Sequence, residues 1–213
     1  IERLCSHLLT LLSSAVGAPD SQANSLCLLP DAESQLIESW QNGPTIDVPD
    51  LCVHQLFEQQ VERTPDAIAL IFEDQQLTYQ ELNARANQLT HQLIDLGVGP
   101  EVIVGVCLER SVELIVSLLA ILKAGGAYLP LDPSSPPERL QMVLSRSETK
   151  LTICTTATSK RFGCSGIQID PEETNQQDRQ SSQVANPGKS YGLDSLAYVL
   201  FTSGTTGQPK GVA

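Results

Sequence analysis

Aromatic side chains are scarce in this sequence: they make up 4% of it, with Trp40 the single tryptophan. A core must therefore rest on Leu, Val, Ile and Ala, and a hydrophobic content of 41% is enough to build one. Positive charge is equally thin. Only 13 Lys and Arg stand against 25 Asp and Glu, giving a net charge of −12 and a pI near 4.5. Polynucleotides and anionic membranes would repel such a chain, so neither is expected as a partner. A polyphosphate ligand would have to be held by a local arrangement of groups. No apolar run reaches the ~20 residues of a membrane span.

The 6 cysteines form no CxxC or paired Cys/His spacing, so no zinc site is expected. Cys52, Cys107 and Cys154 lie in or beside apolar segments and read as buried thiols. A reduced, cytoplasmic compartment follows. The start, Leu8 to Leu12 followed by Val16-Gly17-Ala18, imitates a secretory signal, but Glu2 cancels Arg3 and His7 interrupts the apolar approach. Leu4, Leu8, Leu11, Leu12 and Ala15 recur at helical spacing, which predicts an amphipathic helix docking on something upstream. With Ile1 at one end and Ala213 directly after its richest motif, the chain reads as a fragment.

A polar connector at 18–25 leads to a short helix from Asp31 toward Trp40, closed by Asn42-Gly43-Pro44. A domain boundary is expected near Asp50. Val53, Leu56, Phe57 and Val61 share one face of the next helix, which Pro65 ends. Ala67 to Phe72 reads as a strand and Glu73-Asp74-Gln75 as its turn. Thr78 and Glu81 have capping-box spacing, and the helix they open turns Leu82, Ala86, Leu89, Leu93 and Leu96 inward before Gly97.

Val102 to Leu108 is an unbroken apolar strand of the kind buried in a parallel sheet. A helix then carries Val112, Ile115, Val116, Leu119 and Leu122 as its core stripe, with Lys123 favouring the helix dipole at its end. Ala127 to Pro133 gives a short strand, Pro136-Pro137 opens another helix to about Ser147, and Leu151 to Cys154 is the strand after it. Alternating strands and helices predict an α/β fold with a parallel-rich sheet flanked by helices. Gly163 to Asp194 is polar and reads as a long surface excursion, partly disordered, with a short strand at 167–169.

The chemistry is concentrated in Leu196-Ala197-Tyr198-Val199-Leu200-Phe201-Thr202-Ser203-Gly204-Thr205-Thr206-Gly207-Gln208-Pro209-Lys210-Gly211. An apolar run, read as a buried strand, turns abruptly into hydroxyls, glycines and one lysine. Backbone N–H groups in a glycine-rich turn form an anion-binding concavity, hydroxyls add donors, and a lysine places a point charge on phosphate. The spacing does not fit the Walker pattern. His7, His54 and His91 lie in helical segments with no nucleophile beside them, so a hydrolase triad is unsupported.

This string resembles the phosphate-binding signature of adenylate-forming (AMP-binding) enzymes. Leu77-Thr78-Tyr79-Gln80-Glu81-Leu82 and Leu122-Lys123-Ala124-Gly125-Gly126-Ala127-Tyr128-Leu129-Pro130-Leu131-Asp132 are similar to two further motifs of the adenylation domains of nonribosomal peptide synthetases. Val53 to Phe57 and Glu62 to Asp66 narrow the resemblance in the same direction. It implies that residues 51–213 are the N-terminal portion of the large adenylate-forming domain, with an incomplete α/β fold cut after the phosphate loop. Residues 1–50 then resemble the tail of a condensation domain plus linker.

The implied activity is that of an ATP-dependent ligase, which joins an amino acid to AMP with release of pyrophosphate. The aminoacyl group then passes to the phosphopantetheine of a downstream carrier domain. By the same resemblance Thr202, Ser203, Gly204, Thr205, Thr206, Gly207 and Lys210 hold the polyphosphate of ATP, which enters with Mg2+ as substrate. Phe201 and Gln208 replace the tyrosine and lysine frequent in these domains, leaving Lys210 the loop's one fixed positive charge. The amino-acid pocket, later nucleotide motifs and mobile C-terminal lysine of the family would lie beyond Ala213, so the fragment is expected to be inactive alone, with no catalytic residue of its own. An acyl- or aryl-acid ligase and a non-catalytic nucleotide-binding remnant are the alternatives.

Overall fold

The computed structural model describes residues 1–41, 43, 47–162, 166–168, 185–188, 191–202 and 210–213. The chain divides into two compact units, Ile1–Pro49 and Asp50–Ala213.

The first unit holds helix α1 (Glu2–Gly17), a single 3-10 turn at Ala23–Ser25 and helix α2 (Asp31–Gln41). His7 on α1 and Glu33 on α2 pair at 2.5 Å, and the Cys27 N–H donates to Ser14 Oγ at 3.0 Å. The expected helix is present as α1; of its apolar set Leu4, Leu8 and Leu12 are exposed, and Leu11 and Ala15 are partly covered. Trp40 is exposed as well. Of the expected helix stop, only Gly43 is among the described residues.

The second unit opens with α3 (Val53–Arg63), then a hairpin of β1 (Ile68–Phe72) and β2 (Gln75–Thr78). Strand β2 has no signal in the sequence, because its Gln75-Gln76 start lacks apolar alternation. Helix α4 (Tyr79–Asp95) begins on the anticipated capping box. Glu81 N–H donates to Thr78 Oγ1 at 3.2 Å, and Thr78 N–H donates back to Glu81 Oε2 at 2.8 Å. Gly97, with φ +87°, supplies the left-handed residue that ends it.

From there β3 (Ile103–Cys107), α5 (Val112–Lys123), β4 (Ala127–Pro130), α6 (Pro137–Arg146), β5 (Leu151–Cys154), α7 (Thr156–Phe162) and β6 (Gly166–Gln168) follow in turn. Four strands form one sheet in the order β4-β3-β5-β6, every neighbouring pair parallel. This is the α/β architecture read from the alternation of elements. Helix α7 is too short to show apolar periodicity, and nothing in the sequence announces it.

The main core lies between this sheet and helices α4 and α5, with Leu93, Val104, Ala120, Ile121 and Ile153 fully covered. Burying a Leu or Ile side chain of this kind contributes about 2 kcal/mol. Thr90 links the two helices, its hydroxyl lying 2.7 Å from Ala86 O and 3.2 Å from Ala120 O. A second cluster gathers Cys107, Leu129, Leu131, Leu140, Val143, Cys154 and Val199.

Several apolar positions face differently from the periodicity. Phe57 packs against the core as expected, but Val53 and Leu56 are exposed and His54 is buried in their place. Leu96 is exposed past the end of α4. On α5 the fully buried line runs through Val112, Ala120, Ile121 and Lys123, while Ile115 and Leu119 are only partly covered. Cys107 and Cys154 are buried as expected, but Cys52 is only half-buried.

The run expected as a buried strand is half open to solvent. Val199 is buried, while Tyr198 and Leu200 are 43% and 44% exposed. Only the end of the run, β7 (Leu200–Thr202), is a regular strand, and it pairs antiparallel with β8 (Lys210–Val212).

Candidate functional site

The chain approaches its richest motif along the edge of the parallel sheet. Tyr128 N–H donates to Ala197 O at 3.1 Å, and Val199 N–H donates to Tyr128 O at 3.0 Å. The resulting bridge between Tyr128 and Tyr198 is parallel. Residues 196–199 therefore run in the direction of β4, and their continuation heads for the carboxyl ends of the strands. Open α/β sheets bind ligands at that edge.

The root of the motif is held by packing. Val199 and Phe201 join the second apolar cluster. Opposite them sits Gly211, where a Cβ would stand 3.3 Å from Phe201 Cζ and 3.4 Å from Val199 Cγ1. Phe201 thus spends its ring on the core, and a hydroxyl there is not needed for packing.

Beyond Phe201 the β7–β8 register sets Thr202 opposite Lys210. Directly opposed residues of an antiparallel pair project to the same face with Cβ atoms about 5 Å apart. Both are exposed. One hydroxyl and one ammonium are thereby presented together where β7 ends and β8 begins. Of the predicted polyphosphate ligands, Ser203, Gly204, Thr205, Thr206 and Gly207 lie outside the described residues, as does Gln208.

At the carboxyl ends of β3, β4 and β5 is a cleft of about 750 Å³, bounded by Arg110, Ser111, Glu113, Pro133, Ser134 and Arg161 among others. Just after β4, Asp132 accepts from the Ser134 hydroxyl at 2.7 Å and the Ser134 N–H at 2.8 Å. These bonds hold its carboxyl below the usual carboxylate range.

A second constellation has no signature in the sequence. Lys123, expected to favour the helix dipole at the end of its helix, is buried with its side chain fully covered. Its ammonium donates to Glu58 Oε1 at 2.5 Å, Asn87 Oδ1 at 2.9 Å and Asn186 Oδ1 at 3.1 Å, and lies 5.9 Å from the centre of the Phe57 ring. Burial pulls its pKa down, and the bond and charge of Glu58 oppose that shift. The partners lie 65, 36 and 63 residues away, so no local pattern could have shown them.

Beside it Gly125 has φ +84°, and a Cβ there would stand 2.4 Å from Tyr191 Cε1. Tyr191 meets the ring of His54 edge-on at 6.1 Å. Burial lowers the His54 pKa, Glu58 opposes that and the Lys123 charge adds to it.

Comparison with known proteins agrees with the fold and the motif. The model of the AMP-binding enzymes matches residues 57–213. Tyrocidine synthase 3 of Brevibacillus parabrevis is 38% identical over 213 residues, which cover 100% of this chain and 3% of that protein. Malpinin synthetase of Mortierella alpina is 42% identical over 220 residues, 99% of this chain and 3% of its own length. The chain thus spans a small fraction of the relatives it matches.

Among solved structures, the AMPPNP-bound form of the nonribosomal peptide synthetase FmoA3 superposes with a TM-score of 0.77 at 27% identity, covering 99% of this chain and 22% of that one. The N-terminal subdomain of NpsA from Klebsiella oxytoca gives 0.63 at 30% identity, covering 75% and 41%. The parallel sheet with its flanking helices is the fold of such subdomains. With this architecture, and a match running from α3 through the β7–β8 hairpin, the chain belongs to the AMP-binding enzyme family.

Proposed function

We propose that the chain is the N-terminal portion of an adenylation domain in a nonribosomal peptide synthetase, and that its parent activates an amino acid with MgATP. The carboxylate attacks the α-phosphorus, the bond to the β-phosphate oxygen breaks, and aminoacyl-AMP and pyrophosphate result. What supports this most is the pairing of Thr202 with Lys210 on either side of the hydroxyl- and glycine-rich sequence 203–209, in a chain of this family.

Attack at the α-phosphorus requires the β- and γ-phosphates to be positioned and their charge offset. Thr202 and Lys210 are suited to that task, and Ser203, Gly204, Thr205, Thr206 and Gly207 complete the set. Mg2+ arrives with the nucleotide. In this reading residues 1–50 are the tail of an upstream condensation-like domain with its linker, and residues 51–213 belong to the adenylation domain. The aminoacyl group leaves on the phosphopantetheine of a downstream carrier domain. The setting is cytoplasmic.

The test is carboxylate-dependent ATP–pyrophosphate exchange by the synthetase that carries this chain, across panels of amino, aryl and fatty acids. Exchange stimulated by an amino acid is the expected result. Stimulation by aryl or fatty acids alone would move the assignment to an acid ligase, and ATP binding without exchange to a non-catalytic remnant.

A further inference from the structure

The segment that feeds the β7–β8 hairpin is fastened to the helical layer well before the hairpin begins. Asn186 Oδ1 accepts from Asn83 Nδ2 at 3.1 Å and Asn87 Nδ2 at 2.9 Å, both on α4, and from Lys123 Nζ on α5. The neighbouring Ala185 carbonyl lies 3.3 Å from His91 Nε2. Further along, the Tyr191 ring fills the space that Gly125 leaves open, and Leu196 N–H donates to Glu101 Oε1 at 3.1 Å. Only then do residues 197–199 join the edge of β4.

A buried ammonium is costly unless every proton finds an acceptor, and Lys123 has three protons and three acceptors. One of those acceptors is not on a helix. It belongs to the chain that continues to Thr202. The cluster therefore does more than join α3, α4 and α5, which Glu58 and Asn87 would accomplish without Asn186.

We propose that Asn186, gripped by Lys123, Asn83 and Asn87, is a positioning residue for polyphosphate binding. It fixes the start of the segment whose edge pairing with β4 carries Thr202, and through the β7–β8 register Lys210, to their place. This rests on the function proposed above. Asn186 touches no nucleotide; it acts through the strand.

The experiment uses Asn186→Ala and Asn186→Asp in the synthetase that carries this chain. Asn186→Ala leaves the Lys123–Glu58–Asn87 bonds in place, so it is a milder change than removing the buried lysine. Loss of hydrogen bonds to a charged donor is expected to raise KM for MgATP about tenfold, with kcat for exchange within about twofold of the original. Asn186→Asp keeps an acceptor oxygen facing the three donors and is expected to hold KM near the original value.

Hydrogen exchange supplies a readout independent of activity. The Val199 and Tyr128 amides should exchange faster in Asn186→Ala, while the interior amides of α4 and α5 keep their protection. An unchanged KM would overturn the proposal, as would a general loss of protection in α4 and α5 accompanied by a large fall in kcat. Absence of exchange activity in the unsubstituted synthetase would instead overturn the proposed function, and the Val199 amide would still decide whether Asn186 holds the strand.

Discussion

At Gly125 two independent constraints coincide. Its φ of +84° is one that side chains with a Cβ rarely adopt, and the space a Cβ would need is occupied by the Tyr191 ring. Gly125→Ala is therefore expected to destabilise the chain by about 2 kcal/mol or more. Urea denaturation checks this, with Gly99→Ala as the comparison because nothing lies within 4 Å of a Cβ there. Two residues before Gly125, the local pattern misleads. A lysine at the end of a helix ordinarily compensates the dipole in solvent, and nothing near Lys123 in sequence announces Glu58, Asn87 and Asn186. The lysine's burial depended on contacts made only after folding.

His54 makes a prediction of the opposite kind, in pH. Its Nε2 is buried with no hydrogen-bond partner among the described residues, and burial lowers its pKa below the ordinary 6.5, with Glu58 opposing and Lys123 adding to the shift. The unfolded chain therefore binds a proton more readily than the folded one. The contribution of His54 to stability is complete above pH 6.5 and is lost as pH falls from there toward the lowered folded value. His54→Phe keeps an aromatic edge for Tyr191 and removes the titration. Stability against pH should then be flatter below 6.5 than in the unsubstituted chain, and an unchanged slope would show that the histidine is not its source.

Among the elements, α4 is the one whose start was written most clearly. Thr78 and Glu81 exchange side-chain and backbone bonds as their spacing predicts. Replacing Thr78 by Ala is expected to cost about 1 kcal/mol, read as a lower denaturation midpoint with an unchanged m-value. The parallel strands were legible for the same reason: Ile103–Cys107 and Leu151–Cys154 are short apolar runs between amphipathic helices. What escaped was weakly patterned or long-range. Strand β2 opens with two exposed glutamines and owes its place to pairing with β1. The run into the hairpin looked uniformly apolar, yet only one side of it meets the second core cluster, so Tyr198 and Leu200 stay exposed. In the polar stretch before it, Asn186 turned out to be anchored on the helices instead of lying free on the surface.

Taken whole, the molecule carries a net charge of −12 and a motif suited to one of the most anionic of substrates. In the proposed function that conflict is resolved locally. The sheet edge delivers the hairpin, Val199 and Phe201 root it in the second core cluster, and the strand register sets Lys210 beside Thr202. If that lysine offsets polyphosphate charge, it belongs to binding and catalysis and not to the fold, since it is exposed and stands outside the core. The measurement that tests this most directly is KM for MgATP and kcat in ATP–pyrophosphate exchange for Lys210→Ala in the synthetase that carries the chain. The expected result is a fall in kcat/KM of about a hundredfold, within the range for loss of a charge-assisted phosphate contact, with the thermal midpoint unchanged. A kcat/KM equal to that of the unsubstituted enzyme would contradict the assignment of this hairpin to the polyphosphate.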